Sequence, residues 1–278
     1  MHINFISNRN DLDVYCIIAG NGRLPQMIFE YLLSCDKKVI VITFCSTDYS
    51  IMEKLCKNKA NFYIINNNIS DIIKIMKNNN VKNIVMAGGI SFPGIKNIKC
   101  NFSLLFDFLK ILLSPNKGDD FLLRSAIRIF EKRGFNVISV KDILPNAIAQ
   151  ITDSVGFCHD IKSVNLGINL LYSLSDFDIG QSVVVKNQRV LGIEAVEGTD
   201  QLIARCVNSN GAILIKMAKK NQSIKADLPT IGPHTIDQLS EKSFAGIVIQ
   251  EGSTIIIDRE IVLDKIKAAG MFLKIINC

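Results

Sequence analysis

Three acids, Glu194, Glu197 and Asp200, recur every three residues in GIEAVEGTDQLIARC, with Gly198 and Thr199 between the last two. Carboxylates gathered beside glycine and threonine can hold a hard cation such as Mg²⁺, which takes oxygen ligands and keeps waters and substrate phosphates in its shell. Before them, residues 183–186 and 189–196 read as two strands around a polar turn at Asn187–Gln188. After them, residues 199–207 carry helical spacing in Leu202, Ile203 and Cys206. The acids therefore fall where a strand hands over to a helix, and free backbone N–H groups at such a junction can bind an anion. Asp227 follows in KADLPTIGP, a segment restricted by Pro229, Gly232 and Pro233. Ahead of it stand Lys216, Lys219 and Lys220, then Gln222 and Lys225, a set able to neutralise a diphosphate. Together these residues point to a metal–phosphate site. The plainer alternative is that Thr199 or Asp200 only caps a helix and that the lysines lie in a solvated loop.

The elements that must position them alternate between strand and helix. Residues 14–19 form a short apolar run ending in Gly20-Asn21-Gly22. Pro25 then opens a helical pattern (Met27, Ile28, Tyr31, Leu32), a favoured place for proline, and residues 38–44 are the next strand. This order matches a mononucleotide-binding half of the Rossmann kind. Its dinucleotide fingerprint is incomplete: Pro25 occupies the third glycine position, and no acid ends the second strand to hold a ribose. NAD is disfavoured, and the loop is left as a binder of nucleotide phosphates or uridine, or as a tight turn. Strand 61–65, helix 70–77 and strand 81–87 follow, the last ending in Gly88-Gly89. Open α/β sheets collect ligands at the carboxyl ends of their strands, so the two glycine turns are expected to face one cleft.

An amphipathic stretch at 104–113, a helix at 121–133 opened by Gly118-Asp119-Asp120, and a strand at 135–140 complete the first half. Turn residues without strong pattern fill 144–156, where the domain boundary is placed. The second half reads as helix 161–174, the strands and helix of the acidic stretch, strand 212–216, a helix from Pro233 to Lys242, strands 246–250 and 254–257, helix 258–269 and strand 272–276. The expected fold is α/β in two domains: residues 1–145 with a Rossmann-like parallel sheet, and residues 146–278 carrying EGTD and DLPTIGP.

Composition removes several function classes. The 278 residues are 48% apolar, ample for real cores, yet no run of about 18 uncharged apolar residues supplies a membrane span. The start, MHINFISNRNDLD, has no apolar signal region. Eight cysteines without a CxxC pair fit buried free thiols in a reducing cytosol better than disulfides or zinc. His2, His159 and His234 are isolated, and neither GxSxG nor a Walker A sequence is present. A net charge of +6 from dispersed lysines is compatible with an anionic ligand or a membrane surface and diagnoses neither, and no nucleic-acid partner is expected. Carboxylate and Mg²⁺ chemistry on a phosphorylated ligand remains.

In chain order, IIAGNGRLP, MAGGI, GDDFLLRSAIRIFEKRGF, DIGQSVVV, EAVEGTDQLIARC and KADLPTIGPHTI resemble the signature blocks of the LpxI-type UDP-2,3-diacylglucosamine pyrophosphatases of lipid A biosynthesis. The resemblance spans nearly the whole chain and is most specific in the second half. It implies Mg²⁺-dependent hydrolysis of UDP-2,3-diacylglucosamine to 2,3-diacylglucosamine 1-phosphate (lipid X) and UMP. It further implies work at the cytoplasmic face of the inner membrane, by a peripheral protein whose two α/β domains enclose the lipid. Homo-oligomers are left open. Asp227 is implied as the essential acid, a metal ligand or the group that orients the attacking water. Glu194, Glu197 and Asp200 are implied as further metal ligands or supports for them, with Thr199 close to the diphosphate. Gly20, Asn21, Gly22, Gly88, Gly89, Lys216 and Gln222 complete the expected substrate-binding set. Two departures stand out: Ser91-Phe92-Pro93 follows the AGG turn where the family often has a basic residue and proline, and the loop from there to GDD is short. The rivals are a nucleotide-sugar-lipid binding protein without catalysis and, opposed by the missing ribose acid, a Rossmann-type oxidoreductase.

Overall fold

Apolar runs in the first half become β1 (Val14–Ala19), β2 (Lys38–Phe44), β3 (Asn61–Ile65) and β4 (Val81–Ala87). With the short β5 (Asn136–Val137) they make a five-stranded sheet of order β3-β2-β1-β4-β5, parallel throughout. Strands buried on both faces need apolar residues at nearly every position, and residues 16–19 and 39–44 are buried without a break. Helices α1 (Leu24–Ser34), α2 (Ser50–Cys56), α3 (Ile69–Asn78) and α4 (Asp119–Glu131) alternate with the strands. This computed structural model describes residues 13–45, 47–65, 69–89, 119–177, 179–219, 225 and 228–277. The amphipathic stretch 104–113 and the Ser91-Phe92-Pro93 departure lie outside them. Contacts within the chain divide it into two compact units, Met1–Ile143 and Leu144–Cys278.

The strand expected at 135–140 is shorter than the sequence implied. It stops at Val137, and Val140 instead begins a one-turn helix, α5 (Val140–Ile143). Ser139 causes the change: its carbonyl accepts from the Asp142 N–H at 3.1 Å and its hydroxyl from the Lys141 N–H at 3.2 Å. A serine bonding the amides just beyond it starts a helix rather than extending a strand.

The second unit is a sheet of order β12-β10-β8-β6-β7. Its strands are β6 (Ser182–Lys186), β7 (Arg189–Ile193), β8 (Ile213–Lys216), β10 (Gly246–Gln250) and β12 (Phe272–Ile276). β8, β10 and β12 run parallel, while β6 is antiparallel to both β8 and β7. The β6–β7 hairpin turns at Asn187 and Gln188, both at positive φ (48° and 60°), as a two-residue hairpin turn that follows the strand twist requires. Period-two alternation sorts the side chains by face. Val184, Leu214, Ile247, Ile249 and Leu273 pack with Leu202, Ile203, Ile236, Leu239, Val262 and Ile266 of three helices, α7 (Gly198–Arg205), α8 (Pro233–Glu241) and α9 (Arg259–Ala268). Val183, Val185, Ile213, Ile215 and Val248 pack on the other face with Val164 and Leu171 of α6 (Ile161–Leu174). Gly167 lets α6 approach closely, since a Cβ there would lie 2.2 Å from Ile215 Cδ1. Burying each such Leu, Ile or Val contributes about 1.5–3 kcal/mol, which holds helices on both faces of the sheet. The strand expected at 254–257 is β11 (Ile255–Ile256), and it pairs in parallel with β9 (Thr230–Ile231), which was not legible in the apolar pattern.

Candidate active site

Because β6 runs against its neighbours, its first two residues meet the last residues of β8 and β7. Ser182 pairs with Lys216, the final residue of β8, and Val183 with Ile193, the final residue of β7. The strand expected to reach residue 196 ends at Ile193. Glu194 lies just past it, its N–H donating to the Ser182 carbonyl at 2.9 Å. Helix α7 starts at Gly198 and returns Thr199 over the same edge. Polar side chains thus collect at the carboxyl ends of β7 and β8, the edge where open α/β sheets bind ligands.

There they form one buried network. Lys216 is 6% exposed and Glu194 7%. Lys216 Nζ donates to Thr199 Oγ1 at 2.6 Å, and Thr199 Oγ1 donates to Glu194 Oε1 at 3.0 Å. Ser182 Oγ lies 3.3 Å from Thr199 Oγ1. A hydroxyl has one proton and two lone pairs. With the Thr199 proton on the carboxylate, Ser182 must donate, and the hydroxyl is saturated. The second Glu194 oxygen, Oε2, accepts from the Gln181 N–H at 3.2 Å. Burying an ammonium requires an opposite charge and filled hydrogen bonds, and Glu194 supplies the charge one hydroxyl away. Gly180 makes room for it: a Cβ there would lie 2.5 Å from Glu194 Cβ, Cγ and O.

The other two acids of the triplet face elsewhere. Glu197 accepts from Arg205 Nε at 3.1 Å and Nη2 at 2.8 Å, while the same Nη2 donates to the Ile193 carbonyl. Hydrogen bonding from Arg205 holds the Glu197 carboxyl below the usual carboxylate range. Asp200 is exposed, with His234 Nε2 3.9 Å from its Oδ2. Among the described residues no group of three or more His, Cys, Asp or Glu side chains is gathered to hold a metal ion. Asp227 and Gln222 lie outside the described residues, as does Lys220.

In the first unit the glycine turns are joined to each other. The Gly20 N–H donates to the Ala87 carbonyl at 2.8 Å, and Asn21 and Gly89 exchange N–H···O bonds at 2.8 and 3.0 Å. The Asn21 side-chain oxygen accepts from the Asp48 N–H at 2.9 Å. The two turns therefore do meet at the carboxyl ends of β1 and β4, where the strand order reverses. The N–H groups of Gly20, Asn21 and Gly89 are used in that clasp.

Sequence reasoning singled out Lys216, Thr199 and Glu194 without joining them, and it passed over Ser182, Gln181 and Gly180. The signal for the last three was DIGQS itself, a glycine and two polar residues at the mouth of a strand otherwise apolar. Six described cysteines are free, four of them buried (Cys16, Cys56, Cys158 and Cys206). No helix among the described residues is long and apolar enough to cross a membrane.

Two family models match the chain: the LpxI N-terminal domain over residues 15–147 and the LpxI C-terminal domain over residues 150–274. The chain is also similar to the UDP-2,3-diacylglucosamine pyrophosphatase LpxI of Caulobacter vibrioides, 26% identical over 272 residues that cover 92% of this chain and 95% of that one.

Proposed function

The chain belongs to the LpxI family, and on that premise we propose that it is a hydrolase that splits the diphosphate of UDP-2,3-diacylglucosamine in lipid A biosynthesis, giving 2,3-diacylglucosamine 1-phosphate and UMP. The match of both LpxI domain models, one to each half of the chain, carries this reading. Hydrolysis adds one water across the anhydride. A bond forms from the water oxygen to one phosphorus, the bridging oxygen leaves with the other phosphate, and the two water protons pass to solvent or to the product phosphates.

This chain supplies a buried cation at a strand-end edge. Lys216 can offset the charge of a diphosphate there, and with water excluded each such contact is stronger than in solution. Asp227 is the acid we propose to position or activate the water, on the family resemblance of DLPTIGP. Mg²⁺ dependence rests on the same resemblance. Among the described residues the acids are not gathered around a cation site: Glu194 is buried with Thr199 and Gln181, Glu197 is paired with Arg205 and Asp200 lies exposed. We propose work at the cytoplasmic face of the inner membrane, where a diacylated substrate would lie.

The test is turnover of UDP-2,3-diacylglucosamine in ¹⁸O-water, with both products read by mass spectrometry. By family resemblance the attack is on the β-phosphorus, so the label is expected in 2,3-diacylglucosamine 1-phosphate. Label in UMP would move the attack to the other phosphorus. Tight binding without turnover would leave a nucleotide-sugar-lipid binding protein. The same assay with EDTA should show activity lost and restored by Mg²⁺ or Mn²⁺, and full activity in metal-free buffer would remove the metal from the proposal.

A further inference from the structure

We propose that Glu194 is a positioning residue whose carboxylate, acting through the Thr199 hydroxyl, aims the Lys216 ammonium at the substrate diphosphate. This rests on the pyrophosphatase reading above.

The geometry holds the Glu194 carboxylate within the protein's own hydrogen bonds. Both Glu194 oxygens already accept hydrogen bonds from within the protein, one from a backbone N–H and one from Thr199. Together these two bonds fix the direction of the carboxylate. Its backbone is bound on both sides as well, the Glu194 N–H to Ser182 O at 2.9 Å and the Gly180 N–H to Glu194 O at 3.1 Å. The side chain is thus fixed at root and tip.

Thr199 is the relay. Its only proton goes to Glu194, so its lone pairs must point towards Ser182 and Lys216. A lysine ammonium on four methylenes has many rotamers, and fixing one N–H in a short bond narrows where the remaining charge lies. The carboxylate sets the hydroxyl proton, the hydroxyl sets the ammonium, and the ammonium is the group that meets phosphate. Hydrogen-bonded supports of a reacting group commonly cost about 10- to 100-fold when removed.

A double-mutant cycle tests it. Steady-state turnover of UDP-2,3-diacylglucosamine is measured for Thr199→Val, Thr199→Ser, Glu194→Gln and Lys216→Met, and for the first and third combined with Lys216→Met. Thr199→Val and Glu194→Gln should each lower kcat/KM about 10- to 100-fold. Thr199→Ser, which keeps the hydroxyl, should restore most of the loss. In the Lys216→Met background both substitutions should cost almost nothing further, because residues that act through one group do not add. Effects that multiply instead would overturn the proposal, and for Glu194 would return it to a separate role such as metal ligation. A Lys216→Met enzyme as active as wild type would overturn it too. Thermal melting accompanies each variant, and if Glu194→Gln fails to fold, the nearly isosteric Thr199→Val pair decides. A wild-type protein without turnover would instead remove the function reading and this inference with it.

Discussion

Asn21 and Gly89 bond to each other through their backbones in both directions, at 2.8 and 3.0 Å, and so tie the carboxyl end of β1 to that of β4. The tie depends on Gly88, which has φ +88° and whose Cβ, if it had one, would lie 2.5 Å from the Asn21 carbonyl oxygen. Gly22 differs: its φ is +100°, but a Cβ there would meet nothing within 4 Å. We expect Gly22→Ala to lose about 1–3 kcal/mol from backbone strain alone. Gly88→Ala should lose clearly more, because the same strain is joined by an overlap that opens the clasp. Urea unfolding of the two variants checks this, and equal losses would show that the clasp is not held by the lack of a side chain.

Asp227 is expected to separate catalysis from folding. Asn keeps the shape of Asp and serves nearly as well in turns, but it lacks the negative charge that a cation or an attacking water needs. Asp227→Asn should fold and bind UDP-2,3-diacylglucosamine, with kcat lowered by roughly two to four orders of magnitude. Near-wild-type turnover would return the residue to a structural role.

Gly180 is not at positive φ, so its constraint is space alone. A methyl group would overlap Glu194 at 2.5 Å on three atoms, one of them backbone oxygen. Gly180→Ala should destabilise by about 1–3 kcal/mol, as overpacking does, and lower turnover by displacing the carboxylate. A variant that loses stability but keeps full kcat would show that Glu194 can shift without consequence.

Asp160 gives a prediction with a definite pH sign. It is the N-cap of α6, accepting from the Ser163 N–H at 3.0 Å, and the Ser163 hydroxyl holds its carboxyl below the usual range. A carboxyl depressed in the folded state adds stability above its unfolded pKa, about 3.9, and loses it as pH falls through the lower folded value. Asp160→Ala should therefore cost about 1 kcal/mol at neutral pH, with the gap to wild type closing as the pH is taken below about 4. Denaturant titrations at neutral and acid pH would show it, and a gap that widens in acid would contradict the assignment.

The sequence by itself determined the α/β class and most of the strands. β1, β2, β3, β4, β10 and β12 lie where their apolar runs place them, because a strand buried on both faces has almost no freedom in residue type. It also carried the family through whole motifs. It missed α2 and the two-residue strand β9, which are too short for a periodic signal, and it overran β5 and β7, where Ser139 and the Glu194 junction bend the chain away. Only the tertiary structure decided the polar site. Even spacing of Glu194, Glu197 and Asp200 suggests one cluster, but the turn after β7 sends Glu197 to Arg205, leaves Asp200 at the surface and buries Glu194 with Thr199. The antiparallel insertion of β6 between β7 and β8 brings Ser182 beside Lys216. A one-dimensional pattern records how far apart residues are along the chain. Which carboxylate meets which cation depends on strand direction and register, and these follow from how the whole sheet packs.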